Sequence, residues 1–489
     1  MTVQSLLSFS GIAFTSLALS VSLQSQCDYT RLPPHFADVA HSARERVAKG
    51  ELPSIAIAIA QHGSIVCEEA FGLADREKQV PSTPNTIYAA GSVAKAVTGT
   101  AVFMLVSHSK LRLDDTPQQY GVHVRTYQTG EITIRQLLSM TAGIQHGWFY
   151  NYGAKVDSKE LLQRYAINAF PPGEHFVYSN FSYGILGEIV ERARKGPFSE
   201  FVREQLLKPL QMTSSGFNLG GPNVATGYQA GKAVPHHTFE PEAGGGFYTS
   251  AHDLALFGLF QVDPAQKLLP VEMMKEMHTL ETPQQLKSRY ANGWGILNFN
   301  DGSSVLVSNG RVLAGSATLL VIPKMGVSIA CLTNIASEVT DDLAFQFGEL
   351  FSSGLLSNLD SARKEIEAAE ESQPFHADQS QRGSWAGTID MPKGKLSVLL
   401  RIASDDHMEI AISDGAMVPV EHSGIDQGFL SGEAATRISL PETGDQPSKL
   451  HLELLWADGN RLIGTVRTES FGDLPQFGLP LYISLSKQK

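Results

Sequence analysis

The sequence predicts an α+β domain followed by a smaller all-β domain. Two observations carry this. Before residue 355, strand-like runs stand on both sides of a long stretch of helical segments, the pattern of one sheet closed from both ends of a domain. Beyond it, short alternating runs follow one another with turns between, and no helical period recurs. A chain of 489 residues, 42% apolar, is also too long for one ordinary core and rich enough to build two.

In order, Ser54-Ile55-Ala56-Ile57-Ala58-Ile59-Ala60 alternates isoleucine with alanine. That is a strand with a bulky face and a small face against which a helix can lie close. A turn at His62-Gly63 and a second strand, Ser64 to Phe71, complete a hairpin. From Ser92, Val93, Val97, Ala101 and Met104 recur near every fourth residue, which reads as a helix ending by Ser107 to Lys110. Further helices are predicted over 132–138, 159–169, 182–194 and 250–261, the last capped by Ser250 with Asp253 three residues on. Runs 304–307, 317–322 and 327–333 return to the strand pattern. A charged connector over 356–375 carries Arg363, Lys364, Glu365, Glu367, Glu370 and Glu371. The tail, 376–489, has strands at 396–402, 408–412, 450–455, 461–466 and 481–485, a barrel or a sandwich.

Thirty-eight basic and fifty acidic residues give a net charge of −12 with no Lys/Arg-rich run, which argues against nucleic acid or an anionic membrane as partner. No charged side chain precedes Asp28, and Leu6 to Leu23 is an apolar, serine-laced run. We read residues 1–26 as a signal peptide and the product as secreted or periplasmic; the same run is long enough for an uncleaved N-terminal anchor. Cys27, Cys67 and Cys331 are too few for a disulfide scaffold and read as buried, unpaired thiols. No C-x-x-C or H-E-x-x-H occurs, so neither metal nor cofactor is expected.

Ser92 and Lys95, in Ala90-Gly91-Ser92-Val93-Ala94-Lys95-Ala96-Val97, are the candidate chemistry. Serine three residues before lysine is a weak signal alone; Ser107/Lys110, Ser361/Lys364, Ser484/Lys487 and Ser486/Lys489 share it. Context separates the first pair. Ser92 stands where a strand-like approach passes into a helix, at the positive end of its dipole. Lys95 lies one turn on among apolar neighbours, where desolvation and the dipole both favour the neutral amine. A neutral amine in reach of a hydroxyl can act as its general base. Tyr178-Ser179-Asn180 offers a phenol and an amide on a turn before a helix; Tyr290-Ala291-Asn292 has the same spacing.

"SVAK", "YSN", "PPGEHFVYSNFSYGILGEIVER", "ITIRQLLSMTAGI", "KLRLDDTPQQYG", "GGGFYTSAHDLALFG" and "GWGI" occur within roughly residues 35 to 350. In that set the chain resembles the serine β-lactamase and penicillin-binding-protein superfamily, most of all its class C branch, which also holds esterases, D-aminopeptidases and D,D-peptidases. The resemblance implies an antiparallel sheet flanked by helices plus an all-helical lobe over 28–355, with the site between them. It implies Ser92 as nucleophile, Lys95 as its activator, Tyr178 as partner base and Asn180 as a substrate contact. The family's third motif, K-T-G or H-x-G, falls at Ser308-Asn309-Gly310, and a one-residue shift puts Asn309 first. Gly310 leaves room for substrate, and the N–H groups of Ser92 and Arg311 would form an oxyanion hole. The usual cation at the first position is missing. The expected activity is therefore hydrolysis of a small ester, amide or short peptide through an acyl-enzyme. A β-lactamase, a D,D-peptidase or D-aminopeptidase, and a catalytically silent binding protein are the alternatives.

Overall fold

The computed structural model describes residues 27–28, 30–153, 156–262, 268–280, 290–299, 302–370, 373–426, 428–444 and 446–488. The segment read as a signal peptide, 1–26, lies outside them.

An eight-stranded sheet forms the frame of the first domain. Ser54–Gln61 pairs on one side with Ser64–Asp75 and on the other with Val327–Thr333, followed outward by Gly315–Ile322 and Ser304–Val312. The two faces of Ser54–Gln61 enter different cores, as the alternation implies. Ala56, Ala58 and Ala60 face the larger core with Leu254, Ala255 and Phe257 of the helix Ala251–Phe260. Ile55, Ile57 and Ile59 face a second core with Phe36 and Ala43 of the helix Phe36–Ala48 and Leu343 and Phe347 of the helix Val339–Phe351. Small side chains on the first face let a helix settle close; bulky ones on the second fill a wider gap.

Three of the helices inserted between the strands start at side-chain caps. Thr133 and Gln136 form a reciprocal capping box before Ile134–Leu138. Asp157 accepts the N–H groups of Lys159 and Glu160 before Ser158–Tyr165. Ser250 accepts from Asp253 N at 3.2 Å before Ala251–Phe260. The helix Ala94–Ser107 differs from the single apolar stripe expected of it: every residue from Ala94 to Leu105 is buried, so it runs through the core.

The tail is a barrel. Gly383–Asp390, Lys395–Ile402, Met408–Ile412, Val418–Asp426, Phe429–Ala434, Ser448–Asp458, Arg461–Ser470 and Phe477–Lys487 pair in order, and the last strand closes back on the first. Its interior is filled by Trp385, Leu400, Ile410, Leu452, Val466 and Ile483, all buried. The connector is a helix, Leu355–Glu370, whose Leu355 and Leu359 dock on the second core.

One expectation is overturned here. Cys27 and Cys67 are joined by a disulfide, and only Cys331 is a free, buried thiol. Asp28 N donates to Val66 O at 2.9 Å, laying the N-terminal stretch beside the second strand so that the two thiols meet. Local pattern placed Cys67 on a strand but could not show which distant segment covers it.

The barrel's last strand also pairs with Trp148–Asn151 of the first domain (Phe477 opposite Phe149, Gly478 opposite Trp148), which in turn pairs with Thr238–Glu240. One sheet therefore runs from the barrel into the first domain. Tyr127 stacks on Tyr482 with ring centroids 3.9 Å apart, Phe170 packs on Phe429, and Arg164 and Tyr165 both reach Glu442.

Candidate active site

Ser92 lies between the strand Tyr88–Gly91 and the buried helix Ala94–Ser107, so its backbone N–H is at the start of that helix. Lys95 is one turn further and 1% exposed, and among the described residues no carboxylate pairs with its amine. Burial alone pulls its pKa well below 10.5.

The amine sits in a cage of acceptors. Lys95 Nζ donates to Asn180 Oδ1 and to the Gly244 carbonyl, both at 2.6 Å, and stands 3.0 Å from Ser92 Oγ. A neutral amine has two N–H groups, and the two shortest contacts use both. Its lone pair is then left facing the Ser92 hydroxyl. Tyr178 Oη lies 2.6 Å from the same Oγ, a contact in which either hydroxyl can donate; with Lys95 neutral, the phenol donates and the serine proton points at the lysine. Burial pushes the Tyr178 phenol up to about 12 and the bond to Ser92 pulls it back, although 38% of the residue stays exposed to the cleft.

The supports of this cage come from distant segments. Ser179 caps the helix Asn180–Arg194 by accepting from Ser182 N, which places Tyr178 just before the helix and Asn180 at its first residue. Gly244 belongs to the turn Glu242–Gly245; a Cβ there would lie 2.6 Å from Asn180 O, so only glycine lets its carbonyl come this close. Gly310 is under the same constraint. A Cβ would lie 2.0 Å from Ala90 O and 2.5 Å from Ser92 N, so the strand Ser304–Val312 can lie against Ser92 only because it has glycine there.

The rest of the third motif divides by strand alternation. Ser308 shares the Gly310 face and is 4% exposed, with no hydrogen-bond partner for its hydroxyl among the described residues. Asn309 and Arg311 face the other way. Asn309 Nδ2 donates to Asp341 Oδ1 at 3.0 Å, and the Arg311 guanidinium reaches Glu338 at 3.3 Å and Asp341 at 3.4 Å. Arg311 is thus a cation held by two carboxylates.

Ser92, Tyr178, Asn180, Asn309, Gly310 and Arg311 open on one cavity of about 380 Å³; Lys95 sits beneath it and Ser308 behind it. Its opposite wall is aromatic: Trp148, Tyr150 and Phe239, with His146 beside Tyr178. The sequence analysis did not single out these residues, nor Asp341. The dense run His146-Gly147-Trp148-Phe149-Tyr150-Asn151-Tyr152, one residue after T-A-G-I, was the available signal. Among the described residues no group of three metal-ligating side chains gathers, and no helix is long and apolar enough to cross a membrane.

The fold and this cleft define a protein of the β-lactamase and penicillin-binding-protein type, a serine hydrolase fold with a β-barrel at its C-terminal end. The chain belongs to the Beta-lactamase family, whose model matches residues 39–347. It is 28% identical over 315 residues to Protein flp of Staphylococcus aureus (strain NCTC 8325 / PS 47), which covers 60% of this chain and 62% of that relative. It is also 28% identical over 284 residues to the putative penicillin-binding protein PbpX of Bacillus subtilis (strain 168), covering 56% of this chain and 68% of PbpX. Among solved structures, the octameric penicillin-binding protein homologue from Pyrococcus abyssi shares the fold at a TM-score of 0.57 and 21% identity, over 91% of this chain and 99% of that one.

Proposed function

We propose that this protein is a secreted serine hydrolase that cleaves neutral esters or amides through an acyl-enzyme on Ser92. The observation that carries the reading is the amine cage: two acceptors hold Lys95 so that a lone pair faces Ser92 Oγ, while Tyr178 binds the same oxygen.

Acylation follows from that geometry. Ser92 Oγ forms a bond to the substrate carbonyl carbon as its proton passes to the Lys95–Tyr178 pair. The carbonyl oxygen, now negative, lies toward the N–H groups of Ser92 and Arg311, which Gly310 brings together. The carbonyl-to-leaving-group bond breaks, and the leaving atom takes the proton from the pair. Water then repeats the sequence: it bonds to the acyl carbon, gives its proton to the pair, and Ser92 Oγ departs with that proton.

The preference for neutral substrates is supported by Arg311. A substrate carboxylate would need a free cation beside the strand Ser304–Val312, and this guanidinium already faces Glu338 and Asp341. The aromatic wall of Trp148, Tyr150 and Phe239 suits an apolar acyl or alcohol group. Secretion is supported by the Cys27–Cys67 disulfide, since such bonds persist in oxidising compartments. The test is labelling with a fluorophosphonate and with p-nitrophenyl butyrate. An adduct on the peptide containing Ser92 is expected, and Ser92→Ala should lose both adduct and product burst. A Ser92→Ala variant with wild-type turnover would overturn the reading.

A further inference from the structure

Chemistry at Ser92 needs more than a nucleophile and its base: the departing oxygen and the incoming water must be held on the Tyr178 side of the carbonyl. We propose that His146 is that further catalytic residue, hydrogen-bonding the leaving group during acylation and the water during deacylation.

The cavity itself points to this residue. His146 lines it together with Ser92 and Tyr178, its ring centroid 5.4 Å from that of Tyr178. The other titratable side chains on the wall are committed to protein partners. Tyr178 binds Ser92, Tyr150 accepts from Leu313 N, and Arg311 and Asp341 bind each other. His146 Nδ1 is buried and has no hydrogen-bond partner among the described residues, so no protein acceptor there fixes which ring nitrogen carries the proton.

The position is also built. Gln145, one residue earlier, is held on three sides. Its N–H donates to Ile167 O at 3.1 Å, its carbonyl accepts from Ser179 Oγ at 2.9 Å, and its side-chain oxygen accepts from Thr465 of the barrel at 3.0 Å. Ser179 is the residue between Tyr178 and Asn180, so the backbone that carries His146 is tied to the backbone that carries the proposed base. Burial, with the positive charge of Arg467, holds the imidazole well below its ordinary value. It stays neutral, able to donate from one nitrogen and accept at the other. Protons therefore travel through the Lys95–Tyr178 pair while His146 supplies hydrogen bonds.

The inference rests on the acyl-enzyme reading and makes a separable demand. p-Nitrophenolate leaves without a proton and gains little from a hydrogen bond; an ethoxide leaving group and an attacking water gain much. Stopped-flow burst kinetics with p-nitrophenyl butyrate, turnover of ethyl butyrate, and mass spectrometry of the quenched enzyme should therefore be compared for wild type, His146→Ala and His146→Gln. In His146→Ala the burst rate should stay within about threefold of wild type, which also shows that the site is folded. Steady-state turnover and ethyl ester cleavage should fall at least about tenfold, and the Ser92 adduct should accumulate. His146→Gln, which keeps donor and acceptor, should recover much of the loss. Burst and turnover falling by one common factor, or neither changing, would overturn the inference. Absence of any Ser92 adduct in the wild type would instead sink the acyl-enzyme reading, and this inference with it.

Discussion

The Thr465 hydroxyl of the barrel donates to Gln145 Oε1 at 3.0 Å, across 320 residues of sequence, and both groups are buried. Gln145 precedes His146 and the aromatic strand Trp148–Asn151, whose other edge is bonded to the barrel's last strand. The barrel thus braces the wall of the cleft from behind. Thr465→Val, which keeps the volume and removes the donor, leaves Gln145 Oε1 buried without it and should cost about 1–3 kcal/mol of stability. It should also lower kcat/KM, read with p-nitrophenyl butyrate. An unchanged melting point with unchanged kinetics would show that the barrel merely adjoins the site.

Lys95 and Tyr178 converge on one oxygen, so they should fail together. Lys95→Ala and Tyr178→Phe are each expected to lower kcat by about 10²-fold or more. The double variant should be little worse than the poorer single, because a broken proton path cannot be broken twice. Strictly multiplicative losses would mean independent contributions.

Lys95 also makes stability depend on pH, and the sign follows from its lowered pKa. Unfolded, the lysine keeps its proton to about 10.5; folded, it gives it up earlier. Between those two values the unfolded chain binds more protons, so folding stability rises with pH. Urea melts of the wild type and of Lys95→Met, which has no proton to lose, should diverge in the wild type's favour as pH increases through this window. Over the acid side of the same window kcat/KM should fall as the lone pair is protonated. A stability difference flat with pH would show that Lys95 is charged in the folded protein.

Arg311 decides the response to β-lactams. With Glu338 and Asp341 on its guanidinium, nitrocefin should acylate the wild type very slowly. Asp341→Asn loosens that hold and should raise the second-order acylation rate severalfold while leaving neutral esters less affected. Rapid wild-type turnover of nitrocefin would refute the assignment of Arg311 as an occupied cation.

Short-range pattern was enough for much of this molecule. The alternation of Ser54–Gln61, the Ser250 cap, the turn at His62-Gly63 and the serine-to-lysine spacing act within a few residues, where propensity and periodicity decide geometry. The sequence by itself therefore determined the hairpin, the approximate starts of the helices at Ala94, Ile134, Ser158, Asn180 and Ala251, the change to an all-β tail and the candidate pair Ser92 and Lys95. What only the tertiary structure decided are meetings between segments far apart. Cys27 joins Cys67 across 40 residues and Tyr178 reaches Ser92 across 86. Arg311 finds Glu338 and Asp341, the connector helix docks on a core, and the barrel closes and lends an edge to the aromatic strand. The all-round burial of Ala94–Leu105 belongs with them, since a helix shows its neighbours only one stripe at a time until sheet and lobe enclose it. The physical reason is common to all of these: burial, desolvation and pairing depend on which surfaces pack together, and single-chain periodicity carries no record of the partner.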